Sequence, residues 1–182
     1  MNHQEYLRLS ARTSNQENDP GSLYLHGIIG MLSERNEIRD IRDGVNAVEE
    51  IGDVLWYLAC CHRATGRDVD DLLTGGLSTH TDDYALLHCM SDALDIAKRW
   101  WMYGAKPESL GDAADRADYI ATEIVALALQ SVGARDDVQG ILSKARVSNI
   151  AKLQIRYPHL FTQELAVSRD LNSERQALEN KA

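Results

Sequence analysis

Apolar residues recur every three or four positions through most of the chain, which is the spacing of residues on one face of an α-helix. The first such segment begins at Leu23 and is expected to end near residue 43, with Gly44 as its C-terminal cap. A second segment predicts a helix over residues 46–64, ended by Thr65 and Gly66. The apolar positions are Leu25, Ile28, Ile29, Leu32, Ile38 and Ile41 on the first helix and Val48, Ile51, Val54, Leu55, Leu58 and Ala59 on the second.

The rest of the chain has the same periodicity, and no alternating segment competes as a strand. Further helices are expected over residues 83–103, 112–132, 135–156 and 163–180, with a short polar helix inside 1–16. Residues 68–73 predict one helical turn, and residues 75–83 predict a linker. The sequence therefore predicts an all-α fold, with a four-helix core and additional C-terminal helices.

The two predicted hairpins, residues 23–74 and 83–142, resemble degenerate copies of one unit inside a single domain spanning 1–182. Residues 33–38 align with 91–96, and residues 47–73 align with 114–142 after small gaps. Such self-similarity favours an internal duplication. The alternative is that any two amphipathic hairpins align this well.

Composition narrows the class of protein. The 182 residues carry a formal net charge of −9, which argues against a nucleic-acid partner because such proteins present a basic face. No run of eighteen apolar residues occurs, so no membrane span is expected. Three cysteines without a disulfide or metal-ligand spacing fit a reduced, cytoplasmic compartment.

Two pairs of acidic residues indicate what chemistry the chain can perform: Glu34 with Glu37, and Glu50 with Asp53. Residues three apart project from the same side of a helix, so two antiparallel helices can bring four carboxylates together. Such a cluster needs cations, and oxygen ligands suit Mg²⁺ or Mn²⁺. All four acids are therefore predicted as metal ligands and catalytic residues. The alternative, a solvated acidic face, fits less well because the acids interrupt apolar faces.

The second hairpin keeps only part of this set. Asp92 and Asp95 align with the first acidic pair, whereas Ala117 and Ile120 occupy the positions of the second pair. One metal site is therefore expected, in the first hairpin.

The segments HGIIGMLSERNEIRD (26–40) and EEIGDVLWYLA (49–59) resemble the metal site of the MazG-like all-α nucleoside triphosphate pyrophosphohydrolases. Residues 149–175 resemble the tail of the phage and bacterial single-domain branch of that family. The resemblance implies hydrolysis between the α- and β-phosphates of a (deoxy)nucleoside triphosphate, for nucleotide-pool sanitation or remodelling. Conversion of dGTP to dGMP in a phage is one such case.

Asn149, Lys152 and Arg156 lie on one face of the 135–156 helix and match the family pattern NxxKxxxR, which implies contacts to substrate phosphates. A solvated basic stripe is the alternative. Trp56 follows the second acidic pair and either stacks on the base or packs in the core. For Tyr157 the same two roles stay open: packing on the helical bundle or contact with the ligand.

One departure from the family pattern concerns a basic and aromatic segment. Relatives carry a segment resembling KRxxxYG between the acidic pairs, but here it stands at residues 98–104, in the second hairpin. Lys98 and Tyr103 are therefore expected to reach the ligand from the second copy. The alternative is that the neighbouring Trp100 and Trp101 only pack in the core or at a subunit interface. Such an interface would belong to a homodimer or higher homo-oligomer.

Two other classes of helical protein share some of these features. A di-iron or di-manganese carboxylate bundle normally adds Glu-x-x-His motifs, and none occurs here. A non-catalytic helical module for nucleotide sensing or oligomerisation is the alternative to the enzyme.

Overall fold

The computed structural model describes residues 1–15, 19–68, 83–134, 137–168 and 170–179. These residues form eight α-helices and no strand, which confirms the all-α class. No described helix is both long and apolar enough to cross a membrane. The helices are α1 (His3–Ala11), α2 (Pro20–Glu37), α3 (Gly44–Thr65), α4 (Asp83–Tyr103), α5 (Leu110–Ser131), α6 (Val138–Arg156), α7 (Gln163–Val167) and α8 (Leu171–Glu179).

The junction between α2 and α3 differs from the prediction. Helix α2 ends at Glu37 and continues as a 3-10 turn, Ile38–Asp40. Gly44 does not cap α2 but is the first residue of α3, because the Asp43 carboxylate accepts a hydrogen bond from the Asn46 backbone N–H at 2.8 Å. An aspartate in this position caps a helix N-terminus, so the Asp-Gly pair begins a helix here.

The other boundaries follow the sequence more closely. Gly66 caps α3 and Gly104 follows α4, as expected. The single helix predicted over 163–180 is instead two helices, α7 and α8. Apart from their end residues 68 and 83, the predicted turn and linker lie outside the described residues.

The packing order places α2 and α3 at the centre. Helix α2 packs on α3, α4 and α5, and α3 also packs on α5 and α6. These contacts are compatible with a four-helix core. Helix α8 lies on α6, and α1 lies against α3 and α6. Fully buried aliphatic side chains from three of these helices fill the interior: Ile28, Met31, Ile51, Ile120, Ile124 and Leu129.

Two glycines allow the helices around the acidic residues to approach closely. A Cβ atom on Gly30 would overlap the Tyr57 ring, so this glycine lets the ring lie across α2. A Cβ atom on Gly52 would lie 2.9 Å from the Asn149 Cβ and 3.0 Å from the Ala145 carbonyl oxygen. Gly52 therefore lets α6 lie directly against the part of α3 that carries the second acidic pair.

Candidate functional site

Three acidic side chains converge between α2 and α3. Glu34 comes from α2, and Glu50 and Asp53 come from α3. One oxygen of each lies within 4.8 Å of an oxygen of the other two. Glu34 and Glu50 are only 6% and 7% exposed, whereas Asp53 is half-buried. The structure thus brings together three of the four predicted ligands.

Glu37 lies beside this cluster rather than within it. It is exposed, in the last turn of α2, and it lines the opening of the cleft in front of the cluster. A three-residue step along a helix rotates the side chain by about 60° from the starting direction. Since Glu34 points inward, Glu37 points toward the rim.

The two buried glutamates hold their protons more tightly than free carboxyl groups. Burial, followed by the charges of Asp53 and Glu37, raises the pKa of Glu34 to about 9. Burial and the charge of Asp53 raise the pKa of Glu50 to about 7, against the opposing effect of Lys152. Glu34 and Glu50 also share a hydrogen bond. Without a cation the cluster is therefore too negative to ionise completely at neutral pH.

Helix α6 holds Asp53 in place. The Asn149 side-chain amide donates to Asp53 at 2.7 Å, and the Lys152 ammonium lies 2.7 and 2.6 Å from the two carboxylate oxygens. The Tyr6 hydroxyl donates to the Asn149 amide oxygen at 3.0 Å, which turns the amide nitrogen toward Asp53. Lys152 is only 1% exposed. Burial works against its charge, but Asp53 and Glu49 outweigh burial and raise its pKa.

Arg156 is also engaged inside the protein. Its guanidinium donates twice to the buried Glu174 carboxylate of α8, at 2.8 and 2.6 Å, and lies over the Tyr157 ring. Arg156 lines the cleft, whereas Lys152 does not. The phosphate contacts expected of both residues stay a prediction. In the structure their charges neutralise Asp53 and Glu174.

A cleft of about 480 Å³ opens in front of the carboxylates and is rich in aromatic rings. Trp56 lies at its wall, 9% exposed, with its indole N–H donating to the Thr13 hydroxyl at 2.8 Å. His26 meets the Trp56 and Tyr57 rings edge-on, each with a centroid distance of 5.5 Å. Burial, together with the charge of Arg63, lowers the pKa of His26. The other aromatic lining residues are Tyr157 and Phe161.

The sequence indicated Trp56 and Tyr157 as candidate ligand contacts, but it did not indicate Thr13 or Phe161. Thr13, His26 and Phe161 belong to segments far apart along the chain, and no spacing rule relates them. The one available signal was local: Tyr157 and Phe161 flank the proline that ends α6, and their rings lie 5.4 Å apart.

Lys98 and Tyr103 do not line this cleft. Lys98 is half-exposed and pairs with Asp95 on its own helix, and Tyr103 is 70% exposed. Both residues lie on α4, which packs on α2 and α5, whereas the helical lining of the cleft comes from α2, α3, α6 and α7. The expectation that the second hairpin supplies ligand contacts is therefore not met within this chain.

No family model, curated protein or solved structure matches the chain.

Proposed function

We propose that the protein is a metal-dependent hydrolase that converts a (deoxy)nucleoside triphosphate to its monophosphate and pyrophosphate. The observation that supports this proposal is a buried, under-neutralised group of three carboxylates beside an aromatic cleft. The cleft volume of about 480 Å³ lies in the ordinary range for small-molecule sites.

The three carboxylates fit a hard divalent cation. Each of Glu34, Glu50 and Asp53 offers one carboxylate oxygen within 4.8 Å of the others, and carboxylate oxygens are the donors that such cations prefer. The raised pKa values of the two glutamates report the same excess of negative charge that a cation would relieve. Mg²⁺ or Mn²⁺, when bound, would neutralise phosphate charge and acidify a water molecule.

The surrounding residues hold the carboxylates in position for this chemistry. Asn149 and Lys152 orient Asp53, and the Asn46 side-chain amide donates to Glu50 at 2.7 Å. Among the described residues, Glu34 is the member of the cluster that receives no hydrogen bond from an amide or ammonium group. We assign Glu34, which would be ionised once a cation relieves the charge of the cluster, the role of accepting the proton of the attacking water.

Hydrolysis then needs little covalent help from the protein. Water attacks the α-phosphorus, the bond from that phosphorus to the α–β bridging oxygen breaks, and pyrophosphate leaves. The aromatic cleft takes the nucleoside, with Tyr57, Tyr157 and Phe161 as stacking surfaces. His26, kept neutral by its lowered pKa, offers one hydrogen-bond donor and one acceptor to the base.

The biological role proposed with this activity is sanitation or remodelling of a nucleotide pool, in the cytoplasm and in a homodimer or higher homo-oligomer. Hydrolysis of dGTP in a phage is the specialised case.

The direct test is to incubate the protein with each common dNTP and NTP in Mg²⁺ or Mn²⁺ and to separate the products. We expect a monophosphate and pyrophosphate in equal amounts from at least one substrate, and neither product in EDTA. Release of orthophosphate alone would refute the cleavage position. No hydrolysis of any substrate, with binding retained, would favour a nucleotide-sensing module.

A further inference from the structure

A second cavity, of about 370 Å³, adjoins the carboxylates on the side of the α2–α3 junction. Glu37 and Glu50 line both this cavity and the aromatic cleft, so the two spaces meet at the carboxylates. Helix α8 closes the cavity with Arg175. The complete lining is Glu37, Asp40, Arg42, Asp43, Asn46, Glu50 and Arg175.

The cations in this cavity differ from those on α6. Lys152 and Arg156 are neutralised by Asp53 and Glu174, as described above. Arg42 is exposed, and its guanidinium makes no hydrogen bond or ion pair with any residue that the structure describes. Arg175 is half-exposed and pairs with Glu179 at 2.8 Å and with Asp43 at 3.5 Å.

From this arrangement we propose that the cavity binds the β- and γ-phosphates of the substrate, with Arg42 as the principal protein cation and Arg175 as the second. The inference rests on the proposed function and adds a direction to it. The nucleoside lies in the aromatic cleft, the α-phosphate lies over Glu34, Glu50 and Asp53, and the pyrophosphate half lies beside Arg42.

The position of Glu50 agrees with the proposed cleavage position. Glu34 and Asp53 line the aromatic cleft, whereas Glu50 lines both cavities and lies where they meet. A bond placed beside Glu50 is therefore the one that joins the nucleoside monophosphate in the cleft to the pyrophosphate half in the arginine-lined cavity.

The net charge of the cavity lining determines whether pyrophosphate binds free or as its magnesium complex. Four carboxylates face two arginines in this cavity, so free pyrophosphate is repelled and its magnesium complex is the species that binds. The guanidinium of Arg42 matches two phosphate oxygens at once, which a lysine would not do.

Calorimetric titration with magnesium pyrophosphate tests the inference without requiring turnover. We expect the wild-type protein to bind it and Arg42→Gln to bind it roughly tenfold to a hundredfold more weakly, the usual effect of losing a charged hydrogen bond. The matched control is Arg39→Gln. It removes the same charge three residues away, on an exposed side chain outside both cavities, and should change the affinity less than twofold.

A companion titration uses the four common deoxynucleoside 5′-monophosphates. Any that binds wild-type protein should bind Arg42→Gln within twofold, because the monophosphate half does not reach Arg42. If Arg42→Gln bound the monophosphate more weakly but kept its affinity for magnesium pyrophosphate, the substrate would lie in the opposite orientation and the proposal would be overturned.

Other results also overturn it: no binding of magnesium pyrophosphate by the wild type, no change in Arg42→Gln, or an equal loss in both variants. The proposed function fails separately. Turnover with pyrophosphate affinity independent of Arg42 would retain the hydrolase and remove the subsite. Arg42-dependent binding of pyrophosphate without hydrolysis of any triphosphate would retain the subsite and remove the hydrolase.

Discussion

The α2/α3 hairpin and the α4/α5 hairpin both carry acidic residues, but among the described residues only the first brings three of them together at one point. In α2/α3, burial and the charge of Asp53 raise the pKa of both Glu34 and Glu50. In α4/α5, Asp92 is partly exposed and accepts from Arg116 at 2.8 Å. Asp118 is bonded to His62 of the adjacent α3 and to Arg67, which follows the end of that helix.

The comparison of the two hairpins shows that the number of acidic residues alone does not create a cation site. Exposed or partly exposed carboxylates with arginine partners are already neutralised and hydrated, so they gain little from a metal ion. Buried carboxylates with too few partners gain a great deal. The acidic cluster of the first hairpin therefore differs from Asp92 and Asp118 in its burial and in the balance of charge around it. Substitutions that change either property should affect the two hairpins differently.

The largest effect is expected from removing a carboxylate of the first hairpin. Glu50→Gln should lower kcat/KM roughly a thousandfold, because a metal site supplies several kcal/mol of transition-state stabilisation. Asp92→Asn makes the same chemical change in the second hairpin and should leave kcat/KM within twofold. Steady-state kinetics on the best substrate of the nucleotide panel measures both, and equal losses in the two variants would erase the distinction drawn here.

Next in size is the loss of the buried cation. Lys152→Met keeps the length of the side chain but leaves Asp53 without its ammonium partner, and should destabilise the protein by about 3 kcal/mol. Arg116→Met breaks the partly exposed pair with Asp92 and should cost less than about 1 kcal/mol. Urea unfolding followed by circular dichroism gives both values. A larger cost for Arg116→Met than for Lys152→Met would contradict the assigned burial.

A pH dependence follows from the raised pKa of Glu34. Between its ordinary pKa of 4.5 and its folded value of about 9, the folded protein holds a proton that the unfolded chain has lost. Raising the pH across this window therefore favours unfolding of the metal-free protein. Thermal unfolding in EDTA from pH 5 to pH 9 should show a falling midpoint.

The matched variants separate this cause from general charge effects. Glu34→Gln has no proton to lose and should flatten the decline, whereas Asp92→Asn should retain it. An unchanged decline in Glu34→Gln would place its origin elsewhere in the protein.

The smallest effect concerns the aromatic residues. Trp56→Phe removes the hydrogen bond to Thr13 and should cost about 1 kcal/mol of stability, with a several-fold rise in KM as the cleft wall shifts. Trp101→Phe, on the exposed face of α4, should change neither quantity measurably. Thermal unfolding and KM values for both variants test whether the substrate cleft lies at Trp56 and not on the exposed face of α4.

The sequence was sufficient for most of the helices and for placing Glu50 and Asp53 on one side of α3, because a helical period and a three-residue spacing are local properties. That Glu34 meets them was predicted from an assumed antiparallel packing of α2 and α3, and the structure brings the three together. It was not sufficient for Glu37, whose position depends on where α2 ends. Helical spacing placed Lys152 on a particular face of α6 but did not identify Asp53 as its partner, since a period gives a direction and no distance.

The remaining differences have the same origin in long-range packing. Lys98 and Tyr103 matched a motif, yet α4 lies on the side of α2 and α5. Thr13 and Phe161 matched no motif, yet helix packing brings them into one cleft with His26. Arg42 could be picked out only once the partners of the other basic residues were known.

Calorimetric titration with Mn²⁺ of the wild-type protein, Glu50→Gln and Asp92→Asn tests whether Glu34, Glu50 and Asp53 form a cation site. We expect saturable binding in the wild type, the same affinity in Asp92→Asn, and loss of that binding in Glu50→Gln. Equal Mn²⁺ binding by all three proteins, or no saturable binding by the wild type, would contradict that expectation.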